Sequence, residues 1–273
     1  MDVPRIPEAS SLIISSGNII NWECLKARKR IAQSTTEEVK DCLNAVLNSS
    51  LKAVNWEKAR LEKSLEYSVP KCSPTLANLE ESREELKVTV KAMMCNTEPE
   101  VIVNAIQKVM TELHTETIDV LLLSVSERPN ALETFHMDHL KTLWSVLERM
   151  VENNQIKMLG VCDLDKQGLE ELYNWAKVKP SINQVNEVSC CIIPPDLNAF
   201  TKENKIQLLT HGDNPEILPA EDLQEIIRNS FSDMDAHRWH PSWVMRYTAL
   251  FRCRGVIARK GYIVNAQRNL DHI

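Results

Sequence analysis

A few groupings in this sequence have residue types and spacings that could do chemistry. The neighbouring thiols Cys190-Cys191 precede Pro194-Pro195-Asp196-Leu197 and invite a thiol-exchange role. Adjacent side chains in a strand face opposite ways, so one thiol would enter the core and the other could face a partner. Taken singly, each cysteine reads as a small buried hydrophobe. His237-Arg238-Trp239-His240 offers two imidazoles three apart, without the further ligands that a zinc site needs. Trp239 and Trp243, four apart, read as packing, although Trp with Arg also suits an interface. Asp163-Leu164-Asp165 is a pair of acids, and Asp165 stands where it would cap a helix. His136 and His139 precede a helix and read as solvent-facing. Lys91 sits in the middle of the apolar run VTVKAMM. Ser124 and Ser126 lie at the end of TIDVLLLSVSERP, residues 117–129, the place where many α/β folds carry their chemistry.

The elements that must position these residues follow from periodicity. Residues 12–14 are a short strand, followed by a turn at Gly17-Asn18. Ser34-Thr-Thr-Glu-Glu is a hydroxyl cap with acids in the first turn, and Val39, Cys42, Leu43 and Val46 continue it at helical spacing. Residues 50–85 predict a helix, an irregular loop and a short acidic helix. Residues 88–94 predict a strand. Val103, Ile106, Val109, Met110 and Leu113 form one helix face leading into the strand at 119–125. A helix through Leu140–Val151, a strand at 156–161, a helix after Asp165, strands at 182–188 and 206–210, and a helix at 221–231 complete the rhythm. A further helix is expected from near Trp243, with short apolar stretches around Ile257 and Ile263. Alternating strands and helices from about residue 86 to 210 imply parallel strands with crossover helices. With the chain length, this predicts an α/β fold, a (β/α)8 barrel, with an irregular N-terminal portion and one domain over residues 1–273. A doubly wound open sheet is the second choice.

Composition narrows the function classes. The 273 residues are 43% hydrophobic and 26% charged, which is ordinary for a soluble globular protein. A net charge of −6 gives no electrostatic case for nucleic acid, and Lys26-Ala-Arg28-Lys29-Arg30 reads as a solvated helix face. No apolar run reaches membrane-spanning length and no signal peptide opens the chain, so a cytoplasmic protein with reduced thiols is expected. The eight cysteines form no Cys-x-x-Cys pair, so no metal site is expected. Only six glycines are present, and none are clustered, which excludes a P-loop and a Gly-x-Gly-x-x-Gly dinucleotide turn.

The run WSVLERMVENNQIKMLGVCDLDKQGLEELYNWAKVKPSINQVN, residues 144–186, resembles the aldo-keto reductases, NADPH-using (β/α)8 barrels. WVMRYTALFRCRGVIARKG, residues 243–261, is similar to a C-terminal motif of that family. The resemblance implies that Lys91 is the vestige of the family's catalytic lysine. It puts Ser124 where the family's orienting histidine stands and His211 where a tyrosine stacks on nicotinamide. The family's Ser-Asn becomes Cys162-Asp163, and an aspartate cannot donate to a carboxamide oxygen. No segment between residues 45 and 90 matches the motif that carries the family's aspartate and tyrosine. Tyr67, in LEYSVP, comes without the preceding strand or aspartate. Hydride transfer to a carbonyl needs that tyrosine as acid, so catalysis is not expected. Gln184, His211, Arg259 and Lys260 are the remnants that residual NADPH binding would use.

SGNIINW (16–22), DVLLLSV (119–125), KVKPSINQVNEVSCCIIPPDLNAF (177–200), IQLLTH (206–211) and CRGVIARKGYI (253–263) resemble a catalytically silent branch of that family, the regulatory (modifier) subunits of glutamate–cysteine ligase. That resemblance implies a heterodimer with the ligase catalytic subunit, better glutamate use and relief of glutathione feedback, with no required cofactor. It implies partner contacts at Cys190, Cys191, Pro194, Pro195 and Cys253, with an intersubunit disulfide as one form of contact. The barrel's carboxyl face, residues 186–200 and 211–220, is the expected docking region. The alternative is an NADPH-dependent aldo-keto reductase with a rebuilt site.

Overall fold

Strand β1 (Ser11–Ser15) opens the fold, and helix α1 (Thr35–Ser50) follows with Val39, Leu43, Val46 and Leu47 buried on one face. The computed structural model describes residues 9–20, 33–50, 64–68, 83–125, 137–187, 193–231 and 235–268. Strand β2 (Ser64–Ser68) and a 3₁₀ turn at Arg83–Glu85 lead into β3 (Leu86–Met94). The βα alternation then runs through α2 (Pro99–Leu113), β4 (Val120–Val125), α3 (Met137–Glu152), β5 (Leu159–Cys162), α4 (Lys166–Trp175), β6 (Ile182–Asn186), α5 (Pro195–Glu203), β7 (Gln207–His211) and α6 (Ala220–Phe231). Two long strands, β8 (Trp239–Phe251) and β9 (Ile257–Arg268), form a hairpin that completes the sheet.

The nine strands pair in the order β2-β1-β9-β8-β3-β4-β5-β6-β7. β3 through β7 are parallel, as the alternation predicts, and β2 is parallel to β1. The hairpin is antiparallel to both flanking strands, β1 and β3. β3 and β7 are four places apart, about 19 Å across a flat sheet. Yet Asp213, two residues beyond β7, lies 2.8 Å from Lys91 on β3. The sheet therefore curls on itself, as the expected (β/α)8 scaffold of aldo-keto reductase type requires.

Side chains alternate between two apolar layers. Val90, Ala92, Leu121, Leu123, Val161 and Met245 point outward against Ile106 and Val109 of α2 and Leu143, Trp144 and Leu147 of α3. Burying one such leucine contributes about 2 kcal/mol. Trp144 satisfies its indole by donating to Val178 O at 3.0 Å. Inward, Val120, Leu122, Cys162 and Ile182 pack together. Gly160 belongs there because a Cβ would lie 2.6 Å from Leu122 Cδ2 and 2.8 Å from Ile182 Cβ. On the β1–β9–β8 side, α1 and α6 pack over Leu12, Ile14, Leu65, Val244, Tyr262 and Val264.

Two expectations are corrected here. The segment from Trp243 is a strand, not a helix, because both faces of β8 are covered and the two-residue alternation is masked by burial on each side. Within 50–85, residues 64–68 form a strand, with Leu65 and Tyr67 inward and Glu66 exposed, a pattern too short to read as periodicity.

At the amino ends of the parallel strands, buried Asp119 ties three segments together. It accepts from Val88 N–H (2.8 Å), Arg83 (2.7 Å), Lys157 (3.0 Å) and Arg252 (2.6 Å). Burial pushes its carboxyl up, but the Val88 amide, Lys157 and Arg83 outweigh burial and hold it at about 2.

Candidate functional site

Residues at 91 on β3, 124 on β4, 162 on β5, 184 and 186 on β6, 211 on β7 and 246 on β8 share the inward face, because the outward layer takes the alternate positions. Most of them sit at the carboxyl ends of the parallel strands. Into this mouth comes Asp213, from the turn after β7. Its carboxylate accepts from Lys91 Nζ (2.8 Å), from Arg246 through two nitrogens (2.6 and 2.9 Å) and from Thr35 Oγ1 (2.9 Å) at the start of α1. Its own carbonyl accepts from Asn186 Nδ2 at 2.7 Å. Lys91 is 3% and Asp213 6% exposed, so this is a buried ion pair that water does not screen. Burial works against the Asp213 charge, but the His211 and Arg246 hydrogen bonds and the nearby cations hold its carboxyl far below the usual range.

His211 and Asp163 extend the network. His211 Nε2 lies 3.0 Å from Asp163 Oδ1, and its Nδ1 accepts the Asp213 amide at 3.2 Å. Burial lowers the imidazole pKa, but hydrogen bonds to Asp163 and Asp213 raise it above its ordinary value overall. Asp163 adopts φ +60, a left-handed conformation that costs a non-glycine residue free energy, and its Oδ1 also accepts the Asn186 amide at 2.8 Å. Asp165 caps α4 as the sequence predicts, accepting from Gly168 N–H at 2.8 Å. On the hairpin side, Tyr262 donates to Glu38 Oε1 at 2.5 Å, and Glu38 also binds Lys260. Burial first, and then Glu38, push the Tyr262 hydroxyl far above its ordinary pKa.

Residues 70–212, just over half of the chain, match the Aldo/keto reductase family. Over 269 residues the chain is 35% identical to the glutamate–cysteine ligase regulatory subunit of Rattus norvegicus, which spans 96% of this chain and 95% of the rat protein. The Homo sapiens regulatory subunit shows the same identity and coverage. The chain belongs to the aldo/keto reductase family, in the branch of the glutamate–cysteine ligase regulatory subunits. A solved aldose reductase from Giardia lamblia is 19% identical, covering 63% of this chain and 52% of its own, with a TM-score of 0.36.

Set against the reductase chemistry of the family, the mouth is differently built. Lys91 is present on its strand, but it is spent on Asp213. Ser124 stands half-buried on the inward face, two residue pairs beyond Lys91 in the β3–β4 register, where the resemblance puts an orienting histidine. Tyr67 does lie in a strand, contrary to expectation. Its ring packs on Phe231 of α6 at 5.5 Å between centroids, and its buried hydroxyl has no hydrogen-bond partner among the described residues. Tyr262 is committed to Glu38. Tyr173 stacks edge-on against Phe200 outside the sheet. Tyr247 points outward beside Gly17 and Gly261, where a Cβ on Gly261 would meet its hydroxyl at 2.3 Å.

Three of the four residues expected to hold NADPH are engaged within the fold. Lys260 is neutralised by Glu38 and lies over the Tyr262 ring, 5.8 Å from its centroid. Arg259, its neighbour on β9, faces the opposite side of the sheet. His211 is held between two aspartates, and Gln184 meets the Cys162 thiol at 3.8 Å. Burial pushes that thiol up to about 12. Among the described residues, Lys91, Arg246 and Lys260 on the inward face each meet an internal carboxylate. Among the described residues no group of three or more His, Cys, Asp or Glu could hold a metal ion. No described helix is long and apolar enough to cross a membrane.

The partner residues expected from the sequence separate in space. Pro194 and Pro195 are exposed at the start of α5, with Pro195 in the first helical turn. They lie at the carboxyl ends of the strands. Cys253 is exposed at the tip of the β8–β9 hairpin, at the amino ends. Cys190 and Cys191 fall outside the described residues, as do Ser126 and His136. Sequence reasoning missed Asp213, Arg246, Thr35, Glu38 and Tyr262. Arg246 lay in the segment read as helix, so its inward direction was hidden. Gly212-Asp213 after an apolar strand was the one signal available.

Proposed function

We propose that this chain is a non-catalytic regulatory subunit that binds the catalytic subunit of glutamate–cysteine ligase, improves its use of glutamate and relieves its inhibition by glutathione. The observation that carries this is the ion pair of Lys91 with Asp213, backed by Arg246. The one surviving member of the reductase machinery is built into the fold as a strut, and no tyrosine acid stands against it among the described residues. The full-length likeness to regulatory subunits supplies the partner. Binding can shift the partner only as far as it favours one of the partner's conformations over another. Under this reading no cofactor is required, the protein works in the cytoplasm, and Pro194, Pro195, Cys253 and the Cys190-Cys191 pair are partner contacts, the thiols being able to form an intersubunit disulfide where conditions oxidise them.

Purified protein is mixed with purified ligase catalytic subunit, and glutamate KM and glutathione inhibition are measured. Co-purification with a lower KM for glutamate is the expected result. Failure to co-purify removes the reading. In a parallel assay with NADPH and a panel of aldehydes, turnover that Lys91→Met abolishes would establish a rebuilt reductase instead.

A further inference from the structure

We propose that the tip of the β8–β9 hairpin, with Lys157 and Met158 beside it, is the docking surface for an acidic segment with apolar side chains on the catalytic subunit. This rests on the regulatory reading above and adds to it where contact is made and what chemistry the partner brings.

Exposed apolar surface gathers at this end of the sheet. Val256 is 55%, Ile257 45% and Met158 40% exposed, three of the four large hydrophobic residues most open to solvent among those described. Val256 and Ile257 close the hairpin, and Met158 immediately precedes β5. Its carbonyl accepts the Leu121 amide at 2.9 Å, which fixes it at the amino ends of the strands.

The charge at this end is basic on a chain whose net charge is −6. Arg252 and Lys157 share Asp119 Oδ1, and Arg83 holds Oδ2, so three cations surround one buried carboxylate. Arg254 at the tip adds a fourth and Lys87, exposed at the start of β3, a fifth, while exposed Glu84, Glu85 and Glu116 offset part of the excess. The surface is therefore apolar residues rimmed by cations. The segment that complements it carries aliphatic or aromatic anchors flanked by Asp or Glu.

The tip is also rigid enough to bind without a large ordering cost. Arg252 N–H donates to Glu85 O (2.8 Å), and its Nε donates to Leu86 O (3.0 Å). Phe251 N–H donates to Val256 O (2.9 Å), and Gly255 N–H donates to Phe251 O (2.8 Å). Gly255 holds φ +63, which glycine takes without strain. A loop fixed in this way loses little freedom on binding.

The test titrates full-length protein into purified catalytic subunit by calorimetry, with reductant present so that Cys253 forms no disulfide. Two variants are compared with the unaltered chain, Val256→Asp/Ile257→Asp and Arg254→Glu. These side chains are exposed, so thermal unfolding should match the unaltered protein. Binding weakened at least about tenfold by the double variant, and a shallower salt dependence for Arg254→Glu, are expected. Trp175→Ala, at the other exposed hydrophobic, should leave the affinity unchanged. Unchanged affinity in both tip variants overturns the surface and leaves the regulatory reading standing. An unaltered chain that does not bind overturns both.

Discussion

Lys91 on β3 and Asp213 beyond β7 form a 2.8 Å ion pair across the mouth of the curled sheet, and Arg246 from the hairpin clamps the same carboxylate through two nitrogens. Three strands and the start of α1, through Thr35, thus converge on one buried charge. The lysine at the position of the family's catalytic lysine is thereby tied to the turn after β7 and to the hairpin.

Removing the Asp213 carboxylate should therefore be costly. Asp213→Ala leaves Lys91 and Arg246 buried without a counter-charge, and a loss of roughly 3–5 kcal/mol is expected. Adding Lys91→Met to Asp213→Ala should return part of it, because one stranded cation is gone. Urea unfolding of the two single variants and the double variant measures the coupling. Additive losses would show that the pair is not the unit described here.

Asp119 makes a parallel prediction at the opposite end. Its folded pKa of about 2 lies below the ordinary value of 3.8, so it stabilises the fold above about pH 4 and loses that contribution as pH falls towards 2. The shift corresponds to roughly 2 kcal/mol, reduced by screening because Lys157 and Arg252 are partly solvent-exposed. The stability difference between the unaltered protein and Asp119→Asn should shrink steadily between pH 5 and pH 2. A difference independent of pH would mean the carboxylate charge is not what matters.

His211 has the opposite sign. Its folded pKa is raised, so protonation favours the fold, with the contribution fully present below about pH 6.5 and lost as pH rises through the folded value. Replacing Asp163 with Asn removes the carboxylate charge facing Nε2 and should lower the imidazole midpoint. A proton NMR titration of His211 in both proteins reads this directly. An unchanged midpoint would separate His211 from Asp163.

How far the sequence revealed this arrangement depended on burial. The βα rhythm from β3 to β7 was legible because each helix has one apolar face, and the Asp165 cap because a hydrogen bond three residues on has a fixed signature. β8 was not legible, since a strand covered on both faces loses its alternation, and Arg246 went unseen with it. Lys91 was visible as a charge inside an apolar strand, but its partner was not. Asp213 is 122 residues away, and only the curl of the sheet brings the two together. The same reasoning applies to Cys253 and Pro194, which the sequence grouped and the fold places at opposite ends.

Tyr67 gives the sharpest test of whether any reductase function remains. It lies on β2, and a tyrosine near that strand is what the family's chemistry would require. Here its ring packs on Phe231, its hydroxyl is buried without a partner among the described residues, and burial raises its pKa far above the ordinary value. A buried hydroxyl with no hydrogen bond costs free energy that a hydrogen atom in its place does not. Tyr67→Phe should therefore stabilise the protein by about 1 kcal/mol, seen as a higher urea midpoint, and should leave the effect on the ligase catalytic subunit unchanged. Destabilisation would show that the hydroxyl has a partner, and loss of an NADPH-dependent turnover would restore the tyrosine to a catalytic role.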